Sequence, residues 1–293
     1  MNATNATNDL KYLFYLVAAT FLFGSSFVAT KILLANNPPV LLAAFRFVVG
    51  GLFTLIFLAA TRNSLMLTRG ATVKTLLVGT FQTATCMGLL FLCIERTNAP
   101  LAAVLLFTNP IWVTIWGVVF LKERLRPVQV IGLLSGFVGV VLTVGITSGS
   151  KFDALGIVFG LASAICWSLA TMVSRISKDT TNPILINGWQ MLIGSLMLFA
   201  WSYLAETKGF SLPTNYDVFW FAWLAIMASA FAFGFWFSAL RIGGAIKSSS
   251  YLFLTPLFTM LLSIPILGNV PTSWQIIGFL FVGSGLYLIN RQP

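Results

Sequence analysis

Residues 131–142 read IGLLSGFVGVVL, and residues 277–288 read IGFLFVGSGLYL. The two phrases stand 146 residues apart and share an Ile-Gly start, spaced glycines and an apolar remainder. Gly132 and Gly136 lie four apart, about one turn of helix, with Gly139 close by; Gly278, Gly283 and Gly285 stud the second copy. Small residues at this spacing let helices approach closely in lipid, where no hydrophobic push brings them together. The phrase therefore reads as a packing strut that each half of the chain needs once, not as a catalytic motif or a nucleotide loop.

The doubled phrase is the tail of a longer repeat. Residues 105–142 set against 251–288 give ten identities over 38 positions, among them Pro110/Pro256, Gly132/Gly278 and Gly139/Gly285. Upstream the register is 144: FGSSFVATK (23–31) faces WSLATMVSR (167–175), Pro39 meets Pro183 and Gly50 meets Gly194. Paired prolines and glycines in register are harder to obtain by chance than matched apolar residues.

Composition names the solvent. Of the 293 residues, 58% are hydrophobic and 8% are charged, with a mean hydropathy of +0.93. A water-facing surface needs about 25% charge, so most of this surface must face lipid. Ten apolar runs follow one another, at about 12–33, 39–60, 73–94, 99–121, 128–147, 154–175, 183–204, 217–240, 247–267 and 274–290. Spans must satisfy their own backbone polar groups, so they are expected to be helices. The expected fold is an all-α membrane protein of ten transmembrane helices in two five-helix repeats. Residues 1–11 form a cytoplasmic tail, 12–147 the first repeat and 154–290 the second.

Because five is odd, the second repeat should enter the membrane upside down. With a cytoplasmic N-terminus, twelve Lys or Arg residues fall inside and four outside, a strong positive-inside bias. Both termini are then cytoplasmic. KERLRP (122–127) after the fourth span is basic, whereas its counterpart GNVPTS (268–273) carries no charge. Inverted repeats suit a carrier that rocks to open either face. The net charge of +10 is therefore read as orientation of the spans rather than nucleic-acid binding.

FGSSFVATK, then Pro39 and Phe45–Arg46, then Asn109–Pro110, then LKERLRPVQVIG (121–132), together resemble the EamA-type permeases of the drug/metabolite transporter superfamily. The resemblance implies a multi-pass carrier of the bacterial inner membrane, most often an exporter of amino acids or other small metabolites. It also implies a central cavity lined by spans 1, 3, 4, 6, 8 and 9, with spans 5 and 10 as outer supports at a homodimer contact. One departure stands out: family-like Glu123 meets Asn269 in the second repeat, which puts a symmetric pair of carboxylates in doubt.

The seven acids all lie at or beyond span ends. A midplane carboxylate is the usual proton carrier and cation partner. Its absence disfavours the alternative, a multidrug or cation–proton antiporter, and favours a neutral, zwitterionic or anionic solute. The sequence has no His, and Cys86, Cys93 and Cys166 sit inside apolar runs, so no metal site, cofactor or enzymatic acid–base machinery is expected.

Arg46 lies about 10 Å below the outer surface at 1.5 Å per residue. It either meets a substrate carboxylate or gate, or is a structural arginine bonded to helix-end carbonyls; Lys31 joins it or anchors the interface. Pro110 and Pro256 are candidate hinges or static kinks. Polar and aromatic stripes at helical spacing offer a candidate pathway through Gln82, Asn109, Trp112, Trp167, Thr171, Trp236, Tyr251 and Thr255. The competing account of each stripe is helix packing.

Overall fold

The computed structural model describes residues 3–96, 102, 105–122, 126–144, 153–177, 181–244, 247–248, 251–267 and 273–290. Among these residues it contains helices and no strands. Ten long helices follow: α1 (Ala3–Leu33), α2 (Pro39–Ala60), α3 (Arg69–Arg96), α4 (Asn109–Leu121) and α5 (Pro127–Val144). The second set is α6 (Ala154–Ile176), α7 (Pro183–Ala205), α8 (Asn215–Gly243), α9 (Leu254–Leu267) and α10 (Ser273–Asn290). Six of them, α1, α2, α3, α6, α7 and α8, are long and apolar enough to cross a membrane.

Local chemistry sets the helix ends. Pro39 and Pro183, matched in the repeat, each stand in the first turn of their helix, where a missing N–H costs nothing. Thr68, Asp153 and Asn182 cap α3, α6 and α7 through their side-chain oxygens, and Thr214 with Asp217 forms a capping box at α8. Gly244 closes α8 at φ 79°, a backbone shape that favours glycine.

Two boundaries differ from the sequence reading. α1 runs back through the expected tail as far as Ala3. The fourth apolar run is broken by a turn at Phe107–Thr108, so α4 starts only at Asn109 with Pro110 in its first turn. The matching run is likewise irregular: a 3₁₀ turn at Tyr251–Phe253 precedes α9, and Pro256 falls in that helix's first turn. Both candidate hinge prolines thus begin a helix rather than kink the middle of one.

α3 and α8 each contain a π-helical segment, Gly79–Thr85 and Trp223–Phe231. The second is two residues longer, nine against seven.

Packing exchanges the halves. α1 packs on α8 and α9, and α6 packs on α3 and α4. α2 faces α7, and α5 faces α10. The glycines carry these crossings. A Cβ on Gly50 would lie 2.6 Å from the Ala225 carbonyl and 3.3 Å from Ser229. One on Gly194 would lie 2.8 Å from the Gly79 carbonyl and against Thr83, the same contacts in the other half. α5 and α10 meet where a Cβ on Gly285 would fall 2.6 Å from the Gly132 carbonyl, and Gly136 lies against Phe253. Ser135 Oγ donates to the Phe281 carbonyl at the same seam. Gly139 and Gly278 are buried. Gly283 faces open space and takes no part, contrary to its reading as a third packing glycine.

Candidate functional site

A cavity of about 330 Å³ runs along the C-terminal halves of α1 and α3. Phe23, Phe27, Thr30 and Lys31 line it from α1, and Met87, Phe91 and Ile94 from α3. Phe107 before α4, Trp167 of α6, Phe233 of α8 and Thr255 of α9 complete the ring, with Arg46 reaching in from α2. Leu34 and Ile94 also border a second, more polar recess of about 570 Å³. That recess is lined by helix ends, including Asn37, Glu95, Glu206 and Lys208, so the cavity has its mouth on this side.

Its floor is aromatic. The Phe23 ring lies 5.0 Å from Phe233, 5.8 Å from Trp167 and 6.3 Å from Trp236, all edge-on. Trp167 and Trp236 meet edge-on at 6.2 Å. Edge-to-face rings pack with few voids, which closes the cavity below. Toward the N-terminus of α1 a second barrier follows, eleven residues or about 16 Å of helix further on. Tyr12 shares a 3.1 Å hydrogen bond with Ser248 and meets Tyr251 edge-on at 6.2 Å. The Lys247 ammonium sits 5.2 Å over the Tyr12 ring, and a Cβ on Gly243 would collide with that ring.

Arg46 owes its position to the π segment of α8. Wide turns leave carbonyls without a helical partner. Arg46 Nη2 donates to the Ala228 carbonyl at 2.9 Å, and its Nε donates to Ser229 Oγ at 2.6 Å. Asn187 Nδ2 donates to the Ala230 carbonyl at 3.0 Å. The Arg46 guanidinium also lies 4.8 Å from the centre of the Phe47 ring. Arg46 is only 4% exposed, and no carboxylate pairs with it among the described residues. An arginine within a span costs about 2.5–3.5 kcal/mol; these neutral acceptors offset part of that. The other half repeats the arrangement without the charge. Gln190, 144 residues after Arg46, accepts from Thr83 in the π segment of α3.

Of the residues singled out from sequence, Arg46, Lys31, Trp167 and Thr255 line the cavity. Trp167 Nε1 and Thr255 Oγ1 are buried with no hydrogen-bond partner among the described residues. Trp236 supports the floor, its Nε1 equally without a partner. Gln82 is wholly buried in the π segment of α3, and both its amide atoms lack partners. The remaining four are not among the cavity-lining residues. Asn109 Nδ2 donates to the Ala164 carbonyl at 3.3 Å, leaving Oδ1 without a partner. Thr171 Oγ1 donates to the Trp167 carbonyl. Trp112 stacks on Trp116 and donates to Thr108 Oγ1. Tyr251 belongs to the barrier at Tyr12. Glu123 and Asn269 lie outside the described residues.

The α1 wall was missed as a set of residues. Phe23, Ser26, Phe27 and Thr30 line the cavity at i, i+3, i+4 and i+7, one face of a helix. The signal lay within FGSSFVATK, whose apolar members conceal the stripe.

Comparison with known proteins bears on what this cavity serves. The EamA-like transporter family matches the chain twice, over residues 10–145 and 154–291. A WAT1-related chloroplastic protein of Arabidopsis thaliana is 29% identical, over 94% of this chain and 68% of its own length. The uncharacterized transporter YoaV of Bacillus subtilis is 23% identical, over 95% and 96% of the two chains. A protein of solved crystal structure superposes with a TM-score of 0.81 at 19% identity, covering 97% of this chain and 96% of its own; this likeness speaks for the fold alone.

Proposed function

Because this chain belongs to the EamA-like transporter family, a family of membrane transporters and not of enzymes, we propose that its central cavity binds the transported solute. The cavity would be exposed alternately to the two sides of the membrane. The observation that carries this reading is the wall itself: aromatic rings around a buried arginine, with Trp167 and Thr255 among the lining residues and their Nε1 and Oγ1 buried without partners among the described residues. Unpaired buried donors are costly, and a ligand would satisfy them. Aromatic walls with a few polar handles suit a small metabolite, and amino acids or related solutes are the expected class.

Alternating access rests on reading the halves as inverted. In its favour are the exchanged helix contacts and the matched pairs Gly50–Ser229 and Gly194–Thr83. The asymmetry of basic loops in the sequence supports the same reading and favours cytoplasmic termini in the inner membrane. On that orientation the cavity opens outward and the Tyr12–Ser248 barrier closes the cytoplasmic side. Export is the favoured direction by resemblance, and a homodimer would form along α5 and α10. A cation–proton antiporter is disfavoured by the lack of any carboxylate among the cavity residues.

The test is reconstitution into liposomes with counterflow of a labelled amino-acid and metabolite panel. Counterflow of any member supports a carrier. Proton flux on adding lipophilic cations would revive the antiporter, and no solute flux under any condition would remove the carrier reading.

A further inference from the structure

We infer that the cavity selects organic anions, small molecules with an aromatic or branched apolar body and a carboxylate not balanced by an ammonium group. This rests on the reading of the cavity as the solute site and, within the related solutes named there, sets anions ahead of the zwitterionic amino acids. Two cations face the cavity, Arg46 and Lys31, and no acidic side chain lines it. Arg46 spends only Nε and Nη2 on neutral oxygens; Nη1 makes no hydrogen bond among the described residues. A guanidinium stays protonated and presents its donors as a fork that matches a carboxylate. Trp167 Nε1 is a donor without acceptor, and Thr255 Oγ1 adds a second unpartnered group deep in the same wall.

The wall thus offers two positive charges, with unpartnered polar atoms buried beside them and phenyl and indole surfaces for the body. A zwitterion would bring an ammonium into a space already doubly positive. Ring faces can hold an ammonium, but here only against repulsion from Arg46 and Lys31. The acids nearest the path, Glu95 and Glu206, line the outer recess. Glu206 is moreover engaged there, accepting from the backbone N–H groups of Val40 and Leu41 at 2.8 and 2.9 Å. No acid at the depth of Arg46 would neutralise a substrate cation, so net charge should separate good ligands from poor ones.

Four probes share one phenyl body and differ only in head group: 3-phenylpropionate, phenylalanine, 3-phenylpropionamide and phenethylamine. Each is titrated against the full chain in lipid nanodiscs by tryptophan fluorescence, then tested in liposome counterflow. The expected order puts 3-phenylpropionate at least tenfold tighter than phenylalanine or the amide, with phenethylamine weakest. Arg46→Gln should abolish that preference and leave amide binding in place. Glutamine already occupies the equivalent position, Gln190, in the second half, so the variant is compatible with the fold. Lys31→Met, at an exposed position, gives an independent arm and should weaken the anion several-fold. Phenylalanine or phenethylamine binding as tightly as the propionate would overturn the inference, as would an unchanged order in both variants. If a zwitterion flows without any anion preference, the anion inference falls and the carrier stands. If no probe binds and no solute flows, the cavity reading falls and takes the inference with it.

Discussion

Arg46 Nε and Ser229 Oγ lie 2.6 Å apart, and that bond ties a buried cation of α2 to the π segment of α8. Its counterpart, Thr83 donating to Gln190, ties α7 to the π segment of α3 without a charge. The same junction is therefore built twice, once charged and once neutral. Hydrogen bonds to ionised groups contribute about 1.5–3 kcal/mol, and neutral ones about 0.5–1.5 kcal/mol. Ser229→Ala should accordingly destabilise the protein by about 2 kcal/mol, and Thr83→Val by about 1 kcal/mol. Thermal unfolding in detergent measures both, and equal losses would count against a charged junction.

Gly285 and Gly283 make a matched pair for the seam between α5 and α10. A Cβ on Gly285 meets the Gly132 carbonyl at 2.6 Å, while one on Gly283 meets nothing within 4 Å. Gly285→Val should force the helices apart and cost about 1–3 kcal/mol. Gly283→Ala should be neutral or slightly stabilising, because alanine is the better helix former. Melting temperatures of the two variants check the contrast.

These two cases mark what the sequence made legible. Paired prolines and glycines were readable because each answers a backbone need at one position: Pro39 and Pro183 start helices, and Gly132 with Gly285 permits a close crossing. The π segments were not readable. Nothing in GTFQTAT or WLAIMASAF demands the wider turn; in α8, carbonyls of the segment accept from two other helices, from Arg46 of α2 and Asn187 of α7. Periodicity selected a polar or aromatic stripe on five spans, but it could not say which way the stripe faced. Hence Trp167 and Thr255 line the cavity, whereas Trp112 stacks on Trp116 and Thr171 bonds the Trp167 carbonyl of its own helix, outside that lining.

Gln82 offers a separation of stability from function. Both amide atoms are buried without partners, which costs about 1–3 kcal/mol per unsatisfied group. Gln82→Leu should keep or raise the melting temperature. If Gln82 belongs to the solute path, the same variant should lower transport at least tenfold. A variant both stable and fully active would remove Gln82 from the path.

The Tyr12–Ser248 bond holds the end of the bundle away from the mouth. Tyr12→Phe deletes it at a cost of about 1 kcal/mol, a bias that should favour opening of that end about fivefold. In a background lacking Cys86, Cys93 and Cys166, a cysteine at Tyr251 should label faster when Tyr12 is Phe. An unchanged labelling rate would mean that this contact is no barrier.

Asp153 supplies a pH dependence with a definite sign. Its Oδ1 accepts from the Gly156 N–H at 2.9 Å and its Oδ2 lies 3.5 Å from Arg96 Nη1. The backbone bond first, and the Arg96 charge with it, hold this carboxyl below its ordinary value. The contribution is present above the unfolded-state pKa of about 3.9 and is lost as pH falls through the lower folded value. The melting temperature should therefore drop more below about pH 4 in the natural protein than in Asp153→Asn.

On the proposed function, two matched halves lie antiparallel in the bilayer around one solute cavity. Single cysteines replacing Lys122 and Asn269, just past the fourth and ninth helices, test it most directly. Both are placed in the cysteine-free background and probed in intact cells with a membrane-impermeant maleimide. Residue 269 should label from outside, and residue 122 only after the membrane is opened. Labelling of both from the same compartment would contradict the antiparallel arrangement and the carrier built on it.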